Sequence, residues 1–173
     1  MKKPIAMLLV ILTFALLAAC QEKRPSPAAS ASCSFSDGKT IKTDYSSPRV
    51  KGRKIFGGLV PYGEVWRLGA NEATTLVTTA NLTAGGKDIP AGSYTLFAVP
   101  ALDQWTLVIS KKTGEWGIPY PDGNDLARID MKASSTSSPV ENFTISYDQK
   151  RGSCVLNAAW ENTKATIEFS EKK

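Results

Sequence analysis

A chain of 173 residues, 42% hydrophobic and 21% charged, with a formal net charge of +5, has the size and make-up of a single globular domain. It contains no histidine, which excludes Ser-His-Asp and Cys-His nucleophile pairs and His-ligated zinc and so disfavours most familiar hydrolase chemistry. Once Lys2 and Lys3 are set aside with the leader described next, 19 basic side chains face 16 acidic ones, a balance too mild to argue for nucleic acid as a partner.

Met1-Lys2-Lys3, the uncharged run Ile5 to Leu17 and the small residues before Cys20 reproduce the charged, apolar and cleavage regions of a secretory signal peptide over residues 1–19. The apolar run is too short to cross roughly 30 Å of hydrocarbon. Leu17-Ala18-Ala19-Cys20 resembles the lipobox of bacterial lipoproteins, which implies acylation of Cys20 as the first mature residue. Several acyl chains give stable membrane anchoring, each buried methylene contributing about 0.8 kcal/mol. Gln21 stands where an aspartate would favour inner-membrane retention. The expected location is therefore the cell envelope, on the outer membrane facing the periplasm, ahead of the inner membrane or the cell surface. Residues 20–32 are small and polar with two prolines and read as the lipidated cysteine and a disordered tether. Residues 33–173 are left as one domain.

Cys33 and Cys154 then remain in an oxidising compartment, where pairing is expected. A bridge would close a loop of 121 residues, and chain entropy assigns such a loop about 4 to 5 kcal/mol. Two free buried thiols are the other reading.

From residue 33 onward apolar residues alternate with polar ones, and no stretch carries a sustained helical repeat. Strands are expected over 40–45, with the odd positions inward, and over 74–80, rich in β-branched residues. Turns at Ala84-Gly85-Gly86 and Pro90-Ala91-Gly92 lead to strands over 93–99 and 105–110. Further strands are expected at 127–133 with Ile129 and Met131 inward, at 142–147 with Phe143 and Ile145 inward, at 154–160 and at 163–169. Only 122–128 offers so much as one helical turn. The pattern predicts an all-β fold, an antiparallel β-sandwich of about 8–10 strands with little or no helix outside the signal peptide. Residues 111–124 hold Trp116, Gly117, Pro119, Tyr120 and Pro121 and read as a long loop. Trp116 there either lines a site or plugs the open end of the sandwich.

One block departs from generic strand and turn. It begins Asp44-Tyr45-Ser46-Ser47-Pro48-Arg49-Val50-Lys51-Gly52-Arg53-Lys54, continues through Ile55-Phe56-Gly57-Gly58-Leu59-Val60-Pro61-Tyr62-Gly63-Glu64-Val65, and ends Trp66-Arg67-Leu68-Gly69-Ala70-Asn71-Glu72-Ala73-Thr74. In its tyrosine-serine-proline start, its lysine-glycine-arginine step and its tryptophan-arginine and glycine-alanine-asparagine-glutamate runs, it resembles the bacterial domain-of-unknown-function 2911 family. Agreement continues through Pro90 to Phe97 and Trp105-Thr106 and covers most of 40–169; Leu68 stands where the family pattern has threonine. The resemblance implies a secreted or envelope-anchored β-rich domain and assigns it no activity.

Within that block Arg67, Asn71 and Glu72 cluster around Gly69 beside Trp66. A guanidinium fork, an amide and a carboxylate next to an aromatic face can bind a carboxylate, an amide or sugar hydroxyls. An Arg67–Glu72 ion pair across a glycine turn, with Asn71 left-handed, would instead serve the fold alone. Arg49, Lys51, Arg53 and Lys54 put four cations in six residues, fit either to contact anionic lipid or phosphorylated glycan or only to solvate a loop.

Ser36-Asp37-Gly38-Lys39 and Lys112-Thr113-Gly114 match the spacing of serine penicillin-recognising enzymes, but Asp37-Gly38 reads as a hairpin turn and the third element is missing. Asp122, Asn124 and Asp125 break the calcium-loop spacing at Leu126. No cofactor and no metal are implied. The expected function is non-catalytic binding of a ligand or partner, cell-wall or glycan material or an envelope protein, through Trp66, Arg67, Asn71, Glu72 and Trp116. The alternative is a histidine-independent glycan hydrolase or lyase that uses Glu64 and Glu72 as its carboxylates.

Overall fold

The computed structural model describes residues 26–172; the expected signal peptide and lipidation at Cys20 fall outside the described residues. Nine strands follow in chain order: β1 (Ala28–Ser34), β2 (Thr40–Ser46), β3 (Thr74–Thr78), β4 (Leu82–Ala84), β5 (Lys87–Ile89), β6 (Gly92–Val99), β7 (Gln104–Ser110), β8 (Asp125–Lys150) and β9 (Ser153–Glu171). All pairings are antiparallel, and the described residues contain no helix. The expected all-β antiparallel fold is present. Its hydrogen bonding runs through one continuous sheet in the order β1-β2-β3-β6-β7-β8-β9-β4-β5.

That sheet curls over on itself. β8 has 26 residues and β9 has 19, and each occupies ground where the sequence pattern suggests two strands. The register between them shifts from Ser135 to Val140 and again from Val140 to Thr144, a bend that contains Pro139, which cannot donate to a ladder. On β9 the bend falls at Glu161, whose φ of 54° is left-handed. Beyond the bend the tip of the β8–β9 hairpin lies over β1 and β2. There Ser47 Oγ donates to Phe143 O at 2.7 Å, Phe143 N to Pro48 O at 2.9 Å and Ile145 N to the Tyr45 hydroxyl at 3.0 Å. The Thr43 and Tyr147 hydroxyls meet at 2.6 Å.

Cys33 of β1 is bonded to Cys154 of β9, with Cα atoms 6.2 Å apart, so the bridge staples the curled sheet edge to the hairpin tip. Residues 28–32, expected as tether, are part of β1. Although small, they pair residue for residue with β2, from Ala28 opposite Ser46 to Ser32 opposite Lys42, and Ala29 and Ala31 pack inward against the core, so the backbone ladder supplements a modest apolar contact.

Inward alternation holds where it is expected: Ile41, Thr43 and Tyr45, then Ile129 and Met131, then Phe143 and Ile145 are all buried. β4 and β5, three residues each, form a small hairpin around Gly85-Gly86. Gly85 sits at φ 53°, and a Cβ there would lie 2.3 Å from Ile129 Cγ2. At the centre of the core Phe56, Trp66, Trp105, Phe143 and Trp160 pack edge to face, except that Trp66 and Trp160 stack at 20° with centroids 5.8 Å apart.

Candidate functional site

The tryptophan-arginine block folds into a compact turn docked on the end of β2. Trp66 exchanges both backbone hydrogen bonds with Ala98 of β6 at 2.8 Å, and its indole N–H donates to Gly69 O at 3.0 Å. Ala70 N donates to Ser46 O, and Thr74 Oγ1 reaches Leu68 O at 2.7 Å. Gly69 is needed here, because a Cβ would sit 3.0 Å from both Ser46 O and Thr74 Oγ1. Leu68 is fully buried at φ 50° and Asn71 sits at φ 57°. Asparagine tolerates that conformation and leucine does not favour it.

Beside this turn opens a cavity of about 650 Å³. Trp66 supplies indole surface to its wall, with the buried Trp160 stacked behind it, and Leu59, Val60, Val65 and Ile118 supply aliphatic surface. Its charged lining is wholly basic: Arg49, Lys51, Arg53 and Arg67, with no carboxylate among the lining residues. None of the four forms an ion pair with a carboxylate within 4 Å among the described residues. Arg53 is fixed by its own loop, donating through Nε to Val50 O and through Nη2 to Arg49 O, which leaves the remaining guanidinium donors for a ligand. Lys51 is held through its backbone N–H, which donates to Glu141 Oε1 at 3.0 Å. Burial lowers the Arg67 pKa from its ordinary value, and the charge of Glu72 opposes that shift.

The loop at 111–124 is clamped onto the same turn. Ala73 N donates to Glu115 O at 3.1 Å. Gly117, at φ 84°, passes so close that a Cβ would meet Ala73 Cβ at 2.9 Å and Arg67 Cβ at 3.1 Å. That approach sets Trp116 and Ile118 on either side of the contact. The Arg67 guanidinium lies 5.3 Å from the Trp116 ring centroid and donates to the Trp116 carbonyl at 3.2 Å. Further along, the Tyr120 hydroxyl is bonded to Asp125 and its ring packs on Phe97. Burial, reinforced by Asp125, pushes this phenol up to about 12.

The sequence-derived site residues therefore divide. Trp66 and Arg67 line the cavity. Asn71 serves the fold: its Nδ2 donates to Ser26 O at 3.0 Å and to Ser46 Oγ at 3.1 Å. Glu72 is exposed, lies outside the lining and acts on Arg67 through its charge. Trp116 is 54% exposed, so it plugs nothing, and it meets the cavity only through Arg67. Glu64 is exposed in the turn after Tyr62, and neither it nor Glu72 borders the cavity. Lys54 lies outside the lining, whereas Arg49, Lys51 and Arg53 line the same cavity as Arg67.

Several contributors, Val60, Val65 and Ile118 among them, escape a reading of the sequence. Ser26 falls in the presumed tether, Leu59 in a glycine turn, and Trp160 reads only as an inward strand position. Among the described residues no group of three or more His, Cys, Asp or Glu side chains is placed to hold a metal.

Comparison with protein families gives a match over residues 26–169 to DUF2911, described as a protein of unknown function. The chain belongs to the DUF2911 family. The match begins at Ser26, so β1 and the Ser26 contribution to the cavity wall fall inside the DUF2911 domain. No curated protein and no solved structure matches the chain.

Proposed function

We propose that this DUF2911 protein is an envelope lipoprotein, anchored through Cys20, whose cavity binds an anionic ligand without transforming it. The observation that carries the reading is the lining itself: four cations, the Trp66 indole and several aliphatic side chains, with no carboxylate. Arginine forks match phosphate and carboxylate geometry, and an indole face offers a flat apolar surface to a sugar ring. A ligand that joins an acidic group to a sugar or apolar face fits both halves of the wall, and cell-wall fragments and phosphorylated glycans have that chemistry. A carboxylate pair for glycan cleavage needs its two acids on opposite sides of one bond, and Glu64 and Glu72 both stand away from this wall.

The test is thermal denaturation of the mature chain with anionic muropeptides, alongside Arg67→Gln. A ligand at a hundredfold its dissociation constant adds about 2.7 kcal/mol and raises the melting temperature. The expected result is a rise in the wild type that Arg67→Gln loses while keeping its own unliganded melting temperature. No rise in the wild type removes the reading. Recovery of cleaved muropeptide by mass spectrometry would transfer the site to the carboxylate enzyme.

A further inference from the structure

We infer that the rim of the cavity is a docking surface for an anionic bilayer, so that the cavity takes its ligand from the plane of the membrane. The inference rests on the reading of the basic cavity as an anion site and adds where the anion comes from. Three loops bring large apolar side chains to the rim. Leu59 and Ile118 line the cavity and are nevertheless 49% and 66% exposed, and Trp116, 54% exposed, covers Arg67. Close to Leu59 in the chain, the exposed Tyr62 lies over Gly57, where a Cβ would meet Tyr62 Cε2 at 2.7 Å. Isolated exposed apolar residues are ordinary, but a set gathered around one opening marks an interaction surface.

Charge and chain length select the occupant. Arg49, Lys51, Arg53 and Arg67 line the same cavity as Leu59 and Ile118, the pairing of cations with apolar side chains that holds proteins at anionic interfaces. Ser26 forms part of the cavity wall and is six residues from Cys20. Even fully extended, a chain of that length spans about 20 Å. An acylated Cys20 therefore keeps this wall, rather than the far end of the domain, within reach of the lipid head groups. A soluble protein partner would explain the apolar rim but not its closeness to the anchor.

The experiment uses the chain from residue 20, which contains every strand, with Cys20→Ser to remove the anchor. It is sedimented with vesicles of phosphatidylglycerol and phosphatidylcholine in equal parts and with vesicles of phosphatidylcholine alone. The wild-type domain should partition onto the anionic vesicles only. Leu59→Ser with Ile118→Ser, and separately Arg49→Gln with Lys51→Gln, should each lower that partition by about tenfold with the melting temperature kept. Should the apolar double variant melt early, Ile118→Asn alone carries the same test. A wild-type domain that stays in the supernatant overturns the inference, as does a variant of either kind that binds as well as the wild type. If vesicle binding fails while the muropeptide shift persists, the cavity fills from solution and only the inference falls. If both fail, the anion-site reading falls with it.

Discussion

The two ends of the curled sheet treat charge in opposite ways. At the disulfide end cations meet acids: Lys39 sits between Asp37 and Glu171, Lys172 meets Asp88, and Lys150 meets Glu168, which also accepts from Ser153. Hydrogen bonding from Lys39 holds the Asp37 carboxyl down at about 2. At the cavity end Arg49, Lys51, Arg53 and Arg67 line one cavity whose lining has no carboxylate. Like charges gathered in a partly apolar recess repel one another. On the proposed function, an anionic ligand would offset that repulsion. The disulfide end closes the sheet, and the cavity end is open to chemistry.

Changes at three places press on this contrast, from the largest effect to the smallest. Cys33→Ser with Cys154→Ser removes the covalent closure of a 121-residue separation and should cost about 4 to 5 kcal/mol in denaturant unfolding. What remains folded should still bind at the cavity, and loss of both together would join the two ends into one unit. Asn71→Ala should cost about 2 kcal/mol, since a left-handed backbone must now carry a Cβ and two hydrogen bonds are lost. Asn71→Gly should recover about half of that, and the difference measures the backbone share. Arg49→Gln with Lys51→Gln should leave unfolding free energy within about 0.5 kcal/mol of the wild type and not below it. A clear loss of stability in that pair would make the basic wall a structural element and erase the contrast.

Much of this organisation is legible in the sequence, because burial enforces period-two alternation. Ile41-Thr43-Tyr45 and Phe143-Ile145 announce their inward faces, and Asp37-Gly38 announces the β1–β2 turn, with Gly38 at φ 88°. β1 is hard to read: its inward face, Ala29-Ala31-Cys33, is made of small side chains that give only a faint period-two signal, and much of its order comes from main-chain pairing with β2. The bend in β8 is hidden for a related reason. Ser134 to Pro139 looks like a loop, since composition cannot separate a chain that stops pairing from one that only shifts register.

The site divides along the same line. Trp66 and Arg67 stand out in their block, but their meeting with Arg49, Lys51 and Arg53 depends on how the 49–60 loop folds back, a tertiary fact that local spacing does not encode. Asn71 and Glu72 are neighbours of Arg67 in sequence, yet the turn at Gly69 directs the amide of Asn71 to Ser26 and Ser46 instead.

The long hairpin of β8 and β9 also governs how the molecule comes apart. Because each of these strands pairs in the sheet and then continues past the bend to cover β1 and β2, neither side of the fold owns its boundary. Peeling the tip away exposes Phe143, Ile145 and Trp160 to water and drags on the same strands that hold β7 in place. Partial opening is therefore suppressed, and backbone amides on both sides of the bend should exchange with solvent through one shared global event. The loops that wall the cavity can then move while the frame behind them stays shut.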